Sequence, residues 1–345
     1  MRASLAALLS LLFPAIASAH EVYVLTPAEI RSGLATPSFN EAAVAWGDLN
    51  QFLFWAFVAA LTIFVVFGIS ILRPLERRLD PALARLRPYA ARVARVTIGV
   101  SFIAAAYYQA LFGPELPLGT IFGAWAGAVT VLLIVLGVLI TFGLYVRAAA
   151  LAALCLFGVE IAEKGLYMLT YANYLGEILV LLILGTHHGV GPAARNAAGA
   201  ASRVAKRLAP YSFALLRVCF GTSLFYASFY AKILHNNLAL QVAALPLAGH
   251  AHSLAYAFGL EPHFLVLGAA IVELVIATFF ILGIEIRFTS LFLLFWLSLS
   301  LWYFGEVVWP HIILIGIPIA FICYGYDRYS LEGWLMKRGR FEPVL

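Results

Sequence analysis

Three features of this 345-residue sequence point to an all-α polytopic membrane protein: apolar segments of membrane-crossing length, a lopsided distribution of basic residues, and a pattern that recurs within the chain. The expectation is nine mature transmembrane helices, one leading helix plus two parallel four-helix repeat units. Hydrophobic residues make up 63% of the chain and charged residues 11%, with a mean hydropathy of +0.96, a composition that no soluble domain of this size carries. A membrane helix takes ~20 mostly apolar residues, and such segments fill nearly everything after residue 49.

In chain order, residues 1–19 combine Arg2, an apolar run from Leu5 to Ile16 and the small residues Ala17-Ser-Ala19, which is the form of a cleavable secretory signal. Cleavage would leave His20 as the mature N-terminus of a short solvated segment, 20–49, on the periplasmic side of a bacterial-type inner membrane. The leading helix is expected over 51–72, ended by Arg73-Pro74, within a region 50–94 whose basic loop carries Arg73, Arg77, Arg78, Arg85, Arg87 and Arg92. By the positive-inside rule that loop is cytoplasmic. A first four-helix unit, 95–186, follows with helices near 95–112, 119–145, 148–170 and 171–186. A basic connector, 187–210, leads to a second unit, 211–326, with helices near 211–234, 263–284, 288–309 and 310–326. The cytoplasmic tail is 327–345. Of 22 Lys and Arg, 18 lie at or inside the proposed cytoplasmic boundary, and only Lys164 and Lys232 fall within membrane helices.

The two units share a pattern. Arg95, Gly99, Ser101, Ala105 and Tyr108 match Arg217, Gly221, Ser223, Ala227 and Tyr230 at an offset of 122, and Gly143 and Arg147 match Gly283 and Arg287 at an offset of 140. The difference is an 18-residue insertion in the outer loop of the second unit, the loop that holds His235, His250, His252 and His263. Each unit has an even number of spans, so both take the same orientation, and a parallel duplication about an axis along the membrane normal is expected.

On these residues the chain resembles the DoxX family of four-helix membrane proteins. The second unit carries the likeness best: a first helix from Arg217 to Tyr-Ala-Lys232-Ile-Leu, a loop with Gly259-Leu-Glu-Pro262, then Glu273 ahead of Gly283 and Arg287. The first unit has Ala110 where Lys232 stands and Leu133 where Glu273 stands. The resemblance implies either a role in sulfur-compound oxidation coupled to quinone or an assembly or accessory role.

Helix rise turns spacing into depth. Lys232 lies 15 residues beyond Arg217 and Glu273 lies 14 residues before Arg287, so at ~1.5 Å per residue both stand in one layer of the bilayer and can meet across adjacent antiparallel helices. Glu160, Glu163 and Lys164 reach the same layer from Arg147, and Glu160 and Lys164 are four apart on one helix face. Glu306 and His311 sit higher. Charges at such depth are expensive and mark sites or neutralised structural pairs. Pairing alone accounts for Lys232 with Glu273 and for Lys164 with Glu160. It leaves Glu163, Glu306 and His311 without a reason. A polar cavity open to the periplasm is therefore expected, with Lys232, Glu273, Glu306 and His311 as catalytic candidates and Glu160, Glu163, Lys164 and Arg287 as binding candidates.

Other chemistries have thinner support. The N-terminal His20 and the pair His250-x-His252 offer imidazoles to copper or zinc, although histidines in a loop are more often merely solvated. There is no phosphate-binding loop, dinucleotide fingerprint or paired haem-ligand arrangement. The sequence pI of about 9.1 reflects topology rather than a nucleic-acid partner. Three readings stand: a membrane component of an oxidoreductase system that takes a quinone headgroup or small periplasmic anion alongside a membrane or periplasmic redox partner; a small-solute or metal transporter; and an accessory factor without chemistry of its own.

Overall fold

The computed structural model describes residues 51–185, 203–244, 261–304 and 309–337. The signal and N-terminal segment, His20, most of the connector, His250, His252 and Glu306 lie outside the described residues. Within them the chain is helical, with a single isolated bridge, Ala110 to Pro117, and no strand. Four helical runs are long and apolar enough to cross a bilayer, Phe52–Tyr108, Leu118–Phe142, Arg203–Leu234 and Pro262–Leu282, and Ile286–Trp302 and Pro310–Tyr324 are shorter apolar helices. The protein is an all-α polytopic membrane protein. The segments expected over 148–170 and 171–186 form helices of 19 and 13 residues joined by a 3-10 stretch.

The leading helix α1, Gln51–Leu83, does not stop at Arg73-Pro74 but runs through Pro74 and Pro81 to a 3-10 turn at Ala84–Leu86 and then into α2, Arg87–Tyr108. Proline removes a helical hydrogen bond and normally kinks or ends the helix. Here ion pairs hold the stretch: Glu76 and Asp80, one turn apart, both accept from Arg287 Nη1 at 3.1 and 2.8 Å, and Arg73 reaches Glu285 at 2.9 Å. The apolar part of α1 is almost bare, with Phe52, Ile63 and Phe67 exposed to the extent expected of a lipid-facing surface. It touches the rest mainly by ring contacts from Phe57 to Phe264 and from Phe64 to Phe288 and Phe292.

The first unit continues with α3 (Leu118–Phe122), α4 (Ala126–Phe142), α5 (Val146–Lys164) and α6 (Ala172–Leu184). The second has α7 (Ser212–Phe229), a π-helical turn at Tyr230–Leu234, α8 (Asn236–Ala243), α9 (Pro262–Leu282), α10 (Ile286–Phe304) and α11 (Pro310–Tyr324), and α12 (Leu331–Lys337) closes the chain. The helices α8 and α12 stand where only a loop and a tail were expected.

The same packing occurs twice. The chain bends through a left-handed glycine at Gly143 and Gly283, φ 77° and 71°, then through a left-handed non-glycine at Tyr145 and Glu285, φ 47° and 44°. A Cβ on Gly99 would lie 2.9 Å from the Gly137 carbonyl oxygen, and one on Gly221 would lie 2.8 Å from that of Ala277, so α2 meets α4, and α7 meets α9, backbone to backbone. The last helix of each unit packs on the first helix of the other: α6 on α7, with Gly176 against Cys219, and α11 on α2, with Gly316 against Thr97. Without a hydrophobic drive between helices in lipid, such close approaches of small residues supply the packing. Gly316→Val would push a branched side chain into the stiff Thr97 and should cost about 1 to 3 kcal/mol, read as a lower melting temperature in detergent. Gly127→Val, which meets nothing within 4 Å, should leave it unchanged.

Candidate functional site

Most of the ion-paired charges of this bundle fall into two groups. At one end the guanidinium of Arg217 is buried, with Nε on Asp327 Oδ2 at 2.7 Å and Nη1 on the carbonyls of Phe280 and Ile281. Arg287 bonds Glu76, Asp80 and, at 3.0 Å, the Ile322 carbonyl. Arg287 therefore ties helices together and is not brought to the other sequence-predicted candidates.

At the opposite end, α7 finishes in the π turn, closed by His235 N donating to the Tyr230 carbonyl at 2.9 Å. Such wide turns recur where a side chain is re-aimed at a site. This one carries Lys232, whose carbonyl accepts from Asn236 Nδ2 at 2.8 Å and whose Nζ lies 3.0 Å from Glu273 Oε2. The other Glu273 oxygen accepts from Trp296 Nε1 at 3.4 Å. One carboxylate thus links α9 to the end of α7 and to α10. The equivalents in the first unit, Ala110 and Leu133, are buried and apolar.

His311, buried on the first turn of α11, lines two cavities. The smaller, about 50 Å³, has Glu273, Trp296, Ser228 and Ser300 on its wall. The larger, about 90 Å³, lies between the units and is faced by Glu115, Tyr167, Tyr171, Tyr174, Asn173 and Tyr230. There the hydroxyls of Tyr167, at 2.9 Å, and of Tyr171 both donate to Glu115 Oε1. The Tyr174 hydroxyl pairs with Ser101 Oγ at 2.8 Å. Glu115 is held by a tight loop between α2 and α3, in which Leu111 N bonds the Leu116 carbonyl and Leu118 N bonds that of Gln109.

The remaining candidates divide. Glu160 is fully buried, and its carboxyl oxygens are hydrogen-bonded to none of the described residues, with Glu115, Glu163 and Lys164 as charged neighbours. The expected Glu160–Lys164 pair is not an ion pair among the described residues. Glu163 and Lys164 are exposed where α5 ends, a position at which a lysine complements the helix dipole. Neither lines either cavity.

Sequence reasoning missed Glu115 and the tyrosines. Their signal was present: Tyr167, Tyr171 and Tyr174 recur at helical spacing, as do Tyr226 and Tyr230. An aromatic stripe near a membrane end is ordinarily an interfacial belt, and only the fold turns these hydroxyls inward. The same holds for Asp327 and Glu332, which lie in a segment expected to be a free tail.

The contact of Lys232 with Glu273 has a measurable consequence. Lys232→Ala or Glu273→Ala leaves one charge stranded and should cost about 2.5 to 3.5 kcal/mol of stability, whereas the double change should cost less than the sum of the two. Thermal unfolding of the three variants in detergent gives the coupling, and additive losses would mean the two side chains do not interact.

No curated protein and no solved structure matches the chain. The likeness seen over the first unit has no counterpart in the family comparison, which is confined to the second. Residues 212–306, from the start of α7 to just beyond α10, match the family model described as DoxX, consistent with a DoxX family protein.

Proposed function

We propose that the chain is an inner-membrane component of a quinone-linked oxidoreductase system, built on a duplicated DoxX-like unit, with its N-terminus periplasmic, its C-terminus cytoplasmic and its polar cavity facing the periplasm. The observation that carries this reading is the position of His311, on the wall of both cavities, with a carboxyl–phenol cluster beyond one and an ammonium–carboxylate pair beyond the other. A quinone headgroup is flat and apolar with two carbonyl acceptors, and a cavity faced by tyrosine rings with donors at its edges suits it. Reduction to the quinol takes two electrons and two protons. The electrons come from a redox partner, and protons have local sources in Glu115 with its tyrosines and in His311, groups suited to general acid–base work. The Lys232 ammonium polarises the region through the smaller cavity. A small periplasmic anion would use the same donors. His250, His252 and Glu306 belong to this reading by sequence position alone and lie outside the described residues.

One observation favours carriage of a small solute or ion instead. Polar groups continue from the larger cavity into the bundle, through Tyr174 and Ser101 and then Thr97, whose hydroxyl donates to the fully buried Glu177 at 3.0 Å.

Solvent extraction of the purified protein, followed by chromatography, distinguishes these. Wild type should retain about one quinone per chain, and His311→Ala and Tyr171→Phe should each retain about tenfold less, since a buried hydrogen bond to a ligand is worth on the order of 1.4 kcal/mol. Folded wild type without quinone would favour the accessory or transport readings.

A further inference from the structure

The end of the molecule away from His311 holds a second arrangement that the quinone reading does not use. Glu76 on α1, Glu285 in the turn between α9 and α10, and Glu332 on α12 are all buried, and they bring oxygens within 4.8 Å of one another from three distant parts of the chain. Each accepts from a donor of the surrounding chain, and the Glu76 and Glu332 carboxyls also hydrogen-bond each other. Glu76 Oε1 accepts from Arg287 Nη1 at 3.1 Å, Glu285 Oε1 from Arg73 Nε at 2.9 Å, and Glu332 Oε2 from the Ile286 backbone N–H at 3.1 Å. The second oxygen of Glu285, on a side chain with 0% exposure, is hydrogen-bonded to none of the described residues. Donors that fix one oxygen of a carboxylate and leave the other for an ion are the outer shell of a metal site.

The charges here are also unbalanced. Glu76, Asp80, Glu285 and Glu332, four acids, face three arginines, Arg73, Arg77 and Arg287, with the Tyr326 phenol alongside. Arg217 is occupied by Asp327. We propose that Glu76, Glu285 and Glu332 bind one divalent cation of the oxygen-seeking class, Mg²⁺, Mn²⁺ or Ca²⁺, which clamps the leading helix and the C-terminal helix to the α9–α10 turn. Hard carboxylate oxygens without imidazole or thiolate select that class.

A proton is the competing occupant. Burial, together with Glu76 and Glu285, pushes the Glu332 carboxyl well above the usual carboxylate range, and burial raises Glu285 as well. An acid raised in the folded state binds more protons there than when unfolded, so stability falls as pH rises from the unfolded value through the folded one. An ion in place of the proton removes that loss. In chelator, the melting temperature should therefore fall as pH rises above the ordinary carboxylate range, and Mn²⁺ should restore it.

The test uses the full chain in detergent, stripped with a chelator and titrated with Mn²⁺ while free Mn²⁺ is followed by its paramagnetic resonance signal. One ion per chain should be taken up, displaced by excess Ca²⁺ or Mg²⁺ and more tightly held at higher pH. Glu285→Gln and Glu332→Gln should each weaken uptake by about tenfold or more, and Glu163→Gln, at the other end, should not change it. Wild type that takes up no stoichiometric Mn²⁺, or uptake that survives both substitutions, would overturn the proposal and leave the cluster to a shared proton. The wild-type titration decides even if a substituted chain does not fold.

Discussion

A charge placed in an apolar bundle has to be neutralised, and the ion pairs that join distant parts of this chain meet that demand. Lys232 is neutralised by Glu273, and the pair, 3.0 Å from Nζ to Oε2, ties the end of α7 to the middle of α9. At the other end, Arg217 gathers Asp327 and two carbonyls of α9, which folds the segment after α11 back under the second unit. Arg287 does the same for α1, taking Glu76 and Asp80 across a stretch that two prolines would otherwise interrupt. The apolar part of α1 buries little, so these ion pairs are its main attachment.

Packing and chemistry follow different logics. The backbone approaches at Gly99 and Gly221, the exchange of last helices at Gly176 and Gly316, and the left-handed turns at Gly143 and Gly283 occur in equivalent form in both units. The ionisable groups around the cavities do not, although Arg95 and Arg147 recur as Arg217 and Arg287. Lys232 and Glu273 have apolar counterparts in Ala110 and Leu133, whereas the larger cavity takes Glu115 and Tyr171 from the first unit and Tyr230 and His311 from the second. A packing pattern seen twice thus surrounds a cavity that is lined once, by residues from both halves. The DoxX match covers the ion pair and Tyr230, and Glu115 with Tyr167, Tyr171 and Tyr174 comes from outside it.

Much of the architecture was legible in the residues alone. Apolar length and the repeated glycine and arginine positions indicated helices after residue 211 whose ends fall within about five residues of those observed, because the cost of exposing backbone and charge to lipid leaves few alternatives. Spacing from Arg217 and Arg287 placed Lys232 level with Glu273, since helix rise is constant along both helices. The continuation of α1 past Arg73-Pro74 was not legible, because it depends on Arg287 and Glu285, more than two hundred residues away. Lys164 went wrong for the opposite reason: the helix ends there, which spacing does not report.

What the residues determined unaided was membrane residence, most helix positions and the level of Lys232 with Glu273, set by local composition and a fixed helical rise. The tertiary structure decided which polar groups share a space. Glu115 meets Tyr167 and Tyr171, and Glu332 meets Glu76 and Glu285, only because helices distant in sequence pack together. Azimuth around a helix that is apolar on every side leaves no periodic signal in sequence. It is set by the fit of small residues such as Gly316 against Thr97, and that fit exists only between helices.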